Sequence, residues 1–281
     1  MGRNRPEEVP VKLSLTSWSF PACTLRECHG IAGAIGIGHL DLGLLHGAAI
    51  DAYRVRTDPL RAAREVEETG VSAANLYWLF GDSPEEYAVS DPAALDRNLA
   101  ELDAVARFAE ALRIPTLFVL PGVTRPGQSR ASLLSQSAAA LREMLPVAEA
   151  RGVRLTVEPH VGGILSSPDE TLALLDAVPG LGLTLDYAHF ACMGYPQSAI
   201  DPLAPHAAHV HLRQARPGAL QTKWGEGTLD FGAIIETLRE AGYDGYLSIE
   251  YVHQAYMGTL LDDVLTETIR MRDLARAHGV T

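Results

Sequence analysis

The chain alternates short apolar runs with longer helical segments, and this alternation limits its possible folds more than any other feature. The runs are rich in Leu, Val and other strand-forming residues, and LFVL at 117–120 is typical of a strand buried on both faces. Eight parallel strands are therefore predicted, at 12–17, 38–45, 71–78, 116–120, 153–158, 182–186, 208–212 and 246–251.

The segments between these runs are predicted to be crossover helices. Residues 91–112 and 130–151 carry apolar side chains at helical spacing, with Asp91 before Pro92 as a start signal and Gly152 as a stop signal. A third helix is expected between Asp230 and Gly242, for the same reasons.

Eight strand-helix units can form an open sheet or a closed barrel, and the strand count does not decide between them. Polar residues at strand ends do decide, because a barrel builds its site from the carboxyl ends of several strands. Glu158, Asp186, His211 and Glu250 each stand at or near such an end. A single (β/α)₈ TIM barrel over residues 1–281 is predicted, since such barrels commonly reach about 250 residues.

Charge and motifs exclude several classes of function. Lys and Arg number 23 against 35 Asp and Glu, and a formal charge of −12 would repel a nucleic-acid backbone. The GxSxG, Walker and HExxH motifs do not occur, which argues against serine hydrolases, P-loop NTPases and zincins. No nucleic-acid partner is expected.

Cysteine usage and the N-terminal stretch indicate a cytoplasmic protein. Cys23, Cys28 and Cys192 are odd in number and do not form a CxxC motif, so reduced structural thiols are expected. The first ten residues lack the apolar region of a signal peptide, and no run of about 18 apolar residues predicts a membrane span.

The four strand-end residues are candidate ligands of one divalent metal ion. A carboxylate at the end of an apolar strand is costly to bury unless a cation meets it, although Glu158 could instead pair with an arginine. His209 and His211 share a strand face, and His211 is chosen as the ligand because it lies nearer the carboxyl end. Three carboxylates and one imidazole favour Mn²⁺, with Mg²⁺, Co²⁺ or Zn²⁺ as alternatives.

Substrate-binding candidates follow the same strands. His160 comes directly after the fifth strand, His189 three residues after Asp186, and Arg216 in the loop after the seventh strand. An arginine there suits substrate oxygens. Three aromatic side chains are candidates either for the wall of the pocket or for ordinary packing: Trp18, Tyr77 and Trp224.

The chain resembles the sugar phosphate isomerase/epimerase superfamily of xylose isomerase-like barrels. Five motifs carry this resemblance: LTVEPH, LTLDYAH, HVHLRQARPG, GEGTLDF and GYDGYLSIEYV. Ketose 3-epimerases, hydroxypyruvate isomerases and inosose dehydratases belong to this superfamily. The resemblance covers nearly the whole chain and implies the same four metal ligands. It also implies that Glu158 and Glu250 move the substrate proton, while His189 and Arg216 hold substrate oxygens.

The chain departs from this superfamily at positions that border the predicted pocket. Arg213 and Gln214 follow the seventh-strand histidine where Lys and Asp are frequent, and Asp41 stands where Glu is frequent. These departures leave the identity of the substrate open, and the shared ligands do not distinguish between reactions.

Four functions remain possible at this stage. A metal-dependent isomerase or epimerase acting on a small sugar-like carbonyl compound is the first, and a dehydratase or lyase with the same proton abstraction is the second. An abasic-site endonuclease with three zinc ions and a metal-free sugar-binding module are the others. No membrane partner is expected, and a homo-oligomer is possible.

Overall fold

The computed structural model describes residues 11–253 and 263–281. Eight strands pair in parallel in the order of the sequence, and the last pairs with the first to close a barrel. The strands are β1 Lys12–Thr16, β2 Leu40–Leu42, β3 Ala73–Tyr77, β4 Thr116–Val119, β5 Arg154–Val157, β6 Gly182–Asp186, β7 Ala207–Leu212 and β8 Tyr246–Ile249. The predicted (β/α)₈ fold is confirmed.

The helices lie in the connections between strands. The α-helices are α1 Leu25–Ala34, α2 Ala52–Thr57, α3 Pro59–Glu67, α4 Leu95–Ala111, α5 Arg130–Glu149, α6 Pro168–Ala177, α7 Tyr187–Cys192, α8 Gln197–Ile200, α9 Phe231–Glu240 and α10 Val264–Ala277. Short 3₁₀ turns occur at Ser17–Ser19, His46–Ala48, Pro92–Ala94, Asp201–His206 and Trp224–Glu226.

Local signals fix the ends of the predicted helices. Asp91 accepts a hydrogen bond from the backbone N–H of Ala93, and the chain passes through the 3₁₀ turn into α4. Asp230 caps α9 by accepting the N–H of Ala233. Gly152 lies just beyond α5 and has a φ of +68°, a backbone conformation that residues with a side chain rarely adopt. A glycine therefore suits the end of this helix.

The second strand is much shorter than the predicted 38–45. Its pairing with β3 shifts register between Leu40 and Asp41, and the chain turns away after Leu42. Gly43 then packs against the indole of Trp18, where a Cβ would lie only 2.8 Å from a ring carbon. This close approach, which requires a glycine, ends the strand early.

The interior of the barrel below the site is polar. Ser14 donates to Asp41 (3.0 Å), and the hydroxyls of Thr156 and Thr184 lie 2.7 Å apart. The large apolar side chains instead fill the space between strands and helices. The strands thus present polar groups inward and apolar groups outward. Hydrogen-bonded side chains in the barrel interior therefore lie directly below the site.

The helices of the described chain include none that is long and apolar enough to cross a membrane. All three cysteines are free. Burial raises the pKa of the Cys28 thiol to about 12, so this side chain is a packing residue rather than a nucleophile.

Candidate active site

The barrel brings the four predicted ligands to one place at the carboxyl ends of its strands. Glu158 follows β5, Asp186 ends β6, His211 lies in β7, and Glu250 follows β8. Each offers one ligand atom, and these atoms all lie within 4.8 Å of one another. All four side chains are buried. Such an oxygen-rich cluster with one imidazole has the size and chemistry to hold a divalent ion.

His211 lies at the centre of this cluster. Its Nδ1 is 2.8 Å from Oε1 of Glu158 and 3.2 Å from Oε2 of Glu250, whereas its Nε2 faces Asp41 at 3.2 Å. Burial alone would lower the pKa of His211, but the charge of Glu250 and the hydrogen bonds to its carboxylate neighbours raise it well above the ordinary value. Nδ1 is therefore the nitrogen that a metal would take.

Asp41 supports this histidine from below. One oxygen of its carboxylate lies 2.6 Å from Nε2 of His209 and 3.2 Å from Nε2 of His211. His209 is buried one layer deeper and hydrogen bonded, as the sequence indicates. Burial works to raise the pKa of Asp41, but the two imidazoles outweigh it and lower that pKa. Asp41 thus fixes the ring of His211 so that Nδ1 points to the carboxylates.

Substitution of Asp41 by asparagine should weaken metal binding about 10- to 100-fold, because the amide cannot hold the imidazole as the carboxylate does. Isothermal titration with Mn²⁺ measures this effect. Asp201→Asn is the control, since Asp201 accepts the Tyr187 hydroxyl outside the cluster. Unchanged affinity in Asp41→Asn would contradict the supporting role.

Arg213, which the sequence places at the border of the pocket without a role, contacts the ligands directly. Its Nε and Nη2 donate to Oδ2 of Asp186 at 3.0 and 2.6 Å, and Nη2 is 3.3 Å from Oε2 of Glu250. The guanidinium is almost fully buried. The predicted arginine, Arg216, is exposed in the following turn and does not belong to the lining of the cavity described below. The arginine that contacts the cluster is therefore Arg213.

Burial and the neighbouring charges shift the pKa values of Asp186 and Glu250 in opposite directions. Burial, reinforced by the charges of Glu250 and Glu158, raises the pKa of Asp186, and Arg213 opposes the rise. Burial also works to raise the pKa of Glu250, but Arg213 and His211 overcome it and lower that pKa. Glu250 is thus ionised at neutral pH, as a metal ligand must be.

The two predicted substrate histidines lie together beside Glu158. His189 is fully buried, and its Nδ1 accepts the backbone N–H of Val161 at 3.1 Å. Its Nε2 consequently faces the cluster, 3.6 Å from Asp186 and 4.0 Å from Glu158. The ring of His160 lies 4.1 Å from that of His189, between centroids, and is half-buried. Burial chiefly lowers the pKa of His189, so the ring is neutral.

A cavity opens onto the cluster, and apolar side chains form much of its wall. Its lining consists of Trp18, Leu45, Tyr77, Phe118, Leu120, Glu158, His160, Arg213, Leu220 and Glu250. The indole N–H of Trp18 donates to Oε1 of Glu250 at 2.9 Å, and Tyr77 stacks on Phe118. Trp224 packs on Phe231 and is not part of this wall.

The sequence profile of the xylose isomerase-like TIM barrels matches residues 35–272. The chain belongs to this family. The resemblance predicted from the five motifs is therefore confirmed, and so is the prediction that the chain is an enzyme.

Relatives of the barrel differ in how much of their length is matched. A human putative hydroxypyruvate isomerase is 28% identical over 264 residues, which are 86% of this chain and 90% of the relative. An uncharacterized protein of Methanocaldococcus jannaschii is 30% identical over 127 residues, so the match spans 42% of this chain and 43% of that protein.

Solved structures share the fold of this barrel. A D-allulose 3-epimerase from Methylomonas sp. in complex with D-allulose superposes with a TM-score of 0.73 at 18% identity, covering 96% of this chain and 97% of that one. The IOLI protein with a bound zinc atom gives a TM-score of 0.73 at 16% identity, covering 95% and 99%. At these low sequence identities, the comparison shows only that the fold is shared.

Proposed function

We propose that this barrel is a divalent-metal-dependent isomerase or epimerase acting on a small polyhydroxylated carbonyl compound. The observation that carries the proposal is the pair Glu158 and Glu250, two buried carboxylates that contact one imidazole nitrogen and line one cavity. Two such groups supply an acceptor and a donor for a single substrate proton. The names of the human relative and of the D-allulose complex are consistent with a sugar-like substrate.

The ligand set fits one divalent ion, with Mn²⁺ the first choice. Three carboxylate oxygens and Nδ1 of His211 converge, and Asp41 holds the other face of the imidazole, as metal-bound histidines usually require. A bound ion would polarise the carbonyl and acidify the adjacent C–H. The zinc atom in the IOLI structure makes zinc an alternative.

The residues of the chain carry the proton transfer itself. Glu250, which Trp18 holds in place, removes the proton from the carbon next to the carbonyl. Glu158, protonated from solvent beforehand, supplies the returning proton, and Glu250 then releases its proton to solvent; the roles reverse in the opposite direction. His160 lines the cavity and would hold a substrate hydroxyl beside Glu158. The same role for His189, which is fully buried and contacts Nη2 of Arg213 at 3.0 Å, stays a prediction from the resemblance. Arg216 is exposed, so its role in holding substrate oxygens stays a prediction from the resemblance alone.

Deuterium incorporation tests this function. Chelator-treated protein reloaded with Mn²⁺ is incubated in D₂O with a panel of ketoses, hydroxypyruvate and inososes, and the products are followed by NMR. We expect deuterium at the carbon next to the carbonyl together with an isomerised or epimerised product, and neither in chelator-treated protein.

Other outcomes of the same experiment have distinct meanings. Loss of water from the substrate would replace the isomerase with the dehydratase alternative, which begins with the same proton abstraction. Absence of both deuterium and product with every compound would overturn the proposal.

A cytoplasmic location is part of the proposal. It is supported by the thiols of Cys23, Cys28 and Cys192, which stay unpaired as is usual in a reducing compartment.

A further inference from the structure

The guanidinium of Arg213 contacts two of the predicted metal ligands at the edge of the cavity. We propose that Arg213 is a built-in cation that holds Asp186 and Glu250 in place before metal binds and then lowers the affinity of the site for the metal. This inference rests on the metal site of the proposed function and deepens it. Arg213 acts through the ligands and is a positioning residue.

The first support is the number of donors that the carboxylate of Asp186 already accepts. Its Oδ1 accepts the backbone N–H of Ala188 at 2.8 Å, which caps α7. Its Oδ2 accepts both Nε and Nη2 of Arg213. A metal ion at this carboxylate must therefore share Oδ1 with the backbone N–H of Ala188 or displace a donor of Arg213 from Oδ2, and either course weakens metal binding.

The second support is the position of Nη2. This nitrogen is 2.6 Å from Oδ2 of Asp186 and 3.3 Å from Oε2 of Glu250, so it bridges two of the four ligands. A positive charge that contacts two ligands is close to any ion those ligands bind. The two cations repel, and the repulsion is strong because the site is buried.

The third support is the charge balance of the cluster. Glu158, Asp186 and Glu250 bring three negative charges when ionised, and Arg213 brings one positive charge. With a neutral His211 and one divalent ion the cluster is neutral. Without Arg213 the metal-free cluster would hold three carboxylates that repel one another, which destabilises the fold until a metal enters.

Arg213→Met tests the inference, because methionine keeps much of the length and removes the charge. Isothermal titration with Mn²⁺ should show binding at least about tenfold tighter than in the wild type, since the Coulomb repulsion is gone. The melting temperature without metal should fall, and its rise on adding Mn²⁺ should grow. Arg213→Gln, which retains a donor for Asp186, serves as a second neutral variant should the methionine variant fail to fold.

Two further variants separate charge from packing. Arg213→Lys keeps the charge and loses the two-pronged contact with Asp186, so its affinity for Mn²⁺ should stay near that of the wild type. Arg151→Met is the control for the loss of a paired guanidinium. Arg151 also pairs with two carboxylates, those of Asp103 and Glu110, but it precedes β5 and so lies at the opposite end of the barrel. This substitution should lower stability without changing metal affinity.

The outcomes distinguish this inference from the proposed function. Mn²⁺ binding that is equal or weaker in both neutral variants, with the wild type still binding the metal, would overturn the role of Arg213 and leave the proposed function intact. Absence of Mn²⁺ binding in the wild type and in every variant would overturn the metal site itself and the inference with it.

Discussion

Glu158→Gln and Glu250→Gln should each lower turnover by roughly 10³-fold or more, since each removes a metal ligand and one half of the proton-transfer pair. Glutamine keeps the shape of the side chain, so the barrel should fold normally. Steady-state turnover on the substrate found by NMR, together with circular dichroism, measures both effects.

Glu101→Gln is the matched control for Glu250→Gln. Glu101 is buried and accepts the indole N–H of Trp78 at 2.9 Å, as Glu250 accepts that of Trp18 at the same distance. It lies on α4, outside the barrel interior, so its substitution should leave turnover unchanged. Near-normal turnover in Glu158→Gln or Glu250→Gln would remove that residue from the mechanism.

The sequence predicts the convergence of the ligands because strand order and side-chain alternation are local properties. Each of the four residues stands at or near the end of an apolar run, and parallel strands of a barrel present those ends at one face. Alternation along β7 also places His209 and His211 on one side. The structure agrees with these placements, whereas the ligand roles stay predictions.

The sequence does not reveal which side chains support the ligands. Asp41 on β2 contacts His209 and His211 on β7, a strand that is not its neighbour in the sheet. Such a contact depends on the stagger of the closed barrel, which spacing along the chain does not determine. A charged residue within a short apolar strand was the available signal.

The choice between Arg213 and Arg216 was beyond sequence reasoning for a similar reason. Both follow β7, and only the path of the loop decides which one reaches the cluster. Arg216 forms backbone hydrogen bonds with Ala219 in a turn that exposes it, while Arg213 folds back onto Asp186 of the neighbouring strand. Pro217 and Gly218, whose φ is +77°, form this turn locally, whereas the return of Arg213 onto Asp186 depends on the neighbouring strand.

Added Mn²⁺ should raise the melting temperature of the chelator-treated protein. Binding at about 100 times the dissociation constant stabilises a folded state by about 2.7 kcal/mol. For a chain of 281 residues that is a rise of roughly 5 °C. Differential scanning fluorimetry measures the shift, and inductively coupled plasma analysis measures the metal content.

Asp186→Ala and His211→Ala should each abolish this rise, although the two residues lie on different strands, because one shared ion links them. His39→Ala should keep it, since His39 contacts Ser72 and the ring of Tyr246 at the amino-terminal end of the strands. The metal-free wild type should still fold, because Arg213 contacts two of the three carboxylates and offsets their repulsion. A wild type that binds no divalent ion and melts identically with and without Mn²⁺ would leave the barrel standing and refute the metal-dependent mechanism.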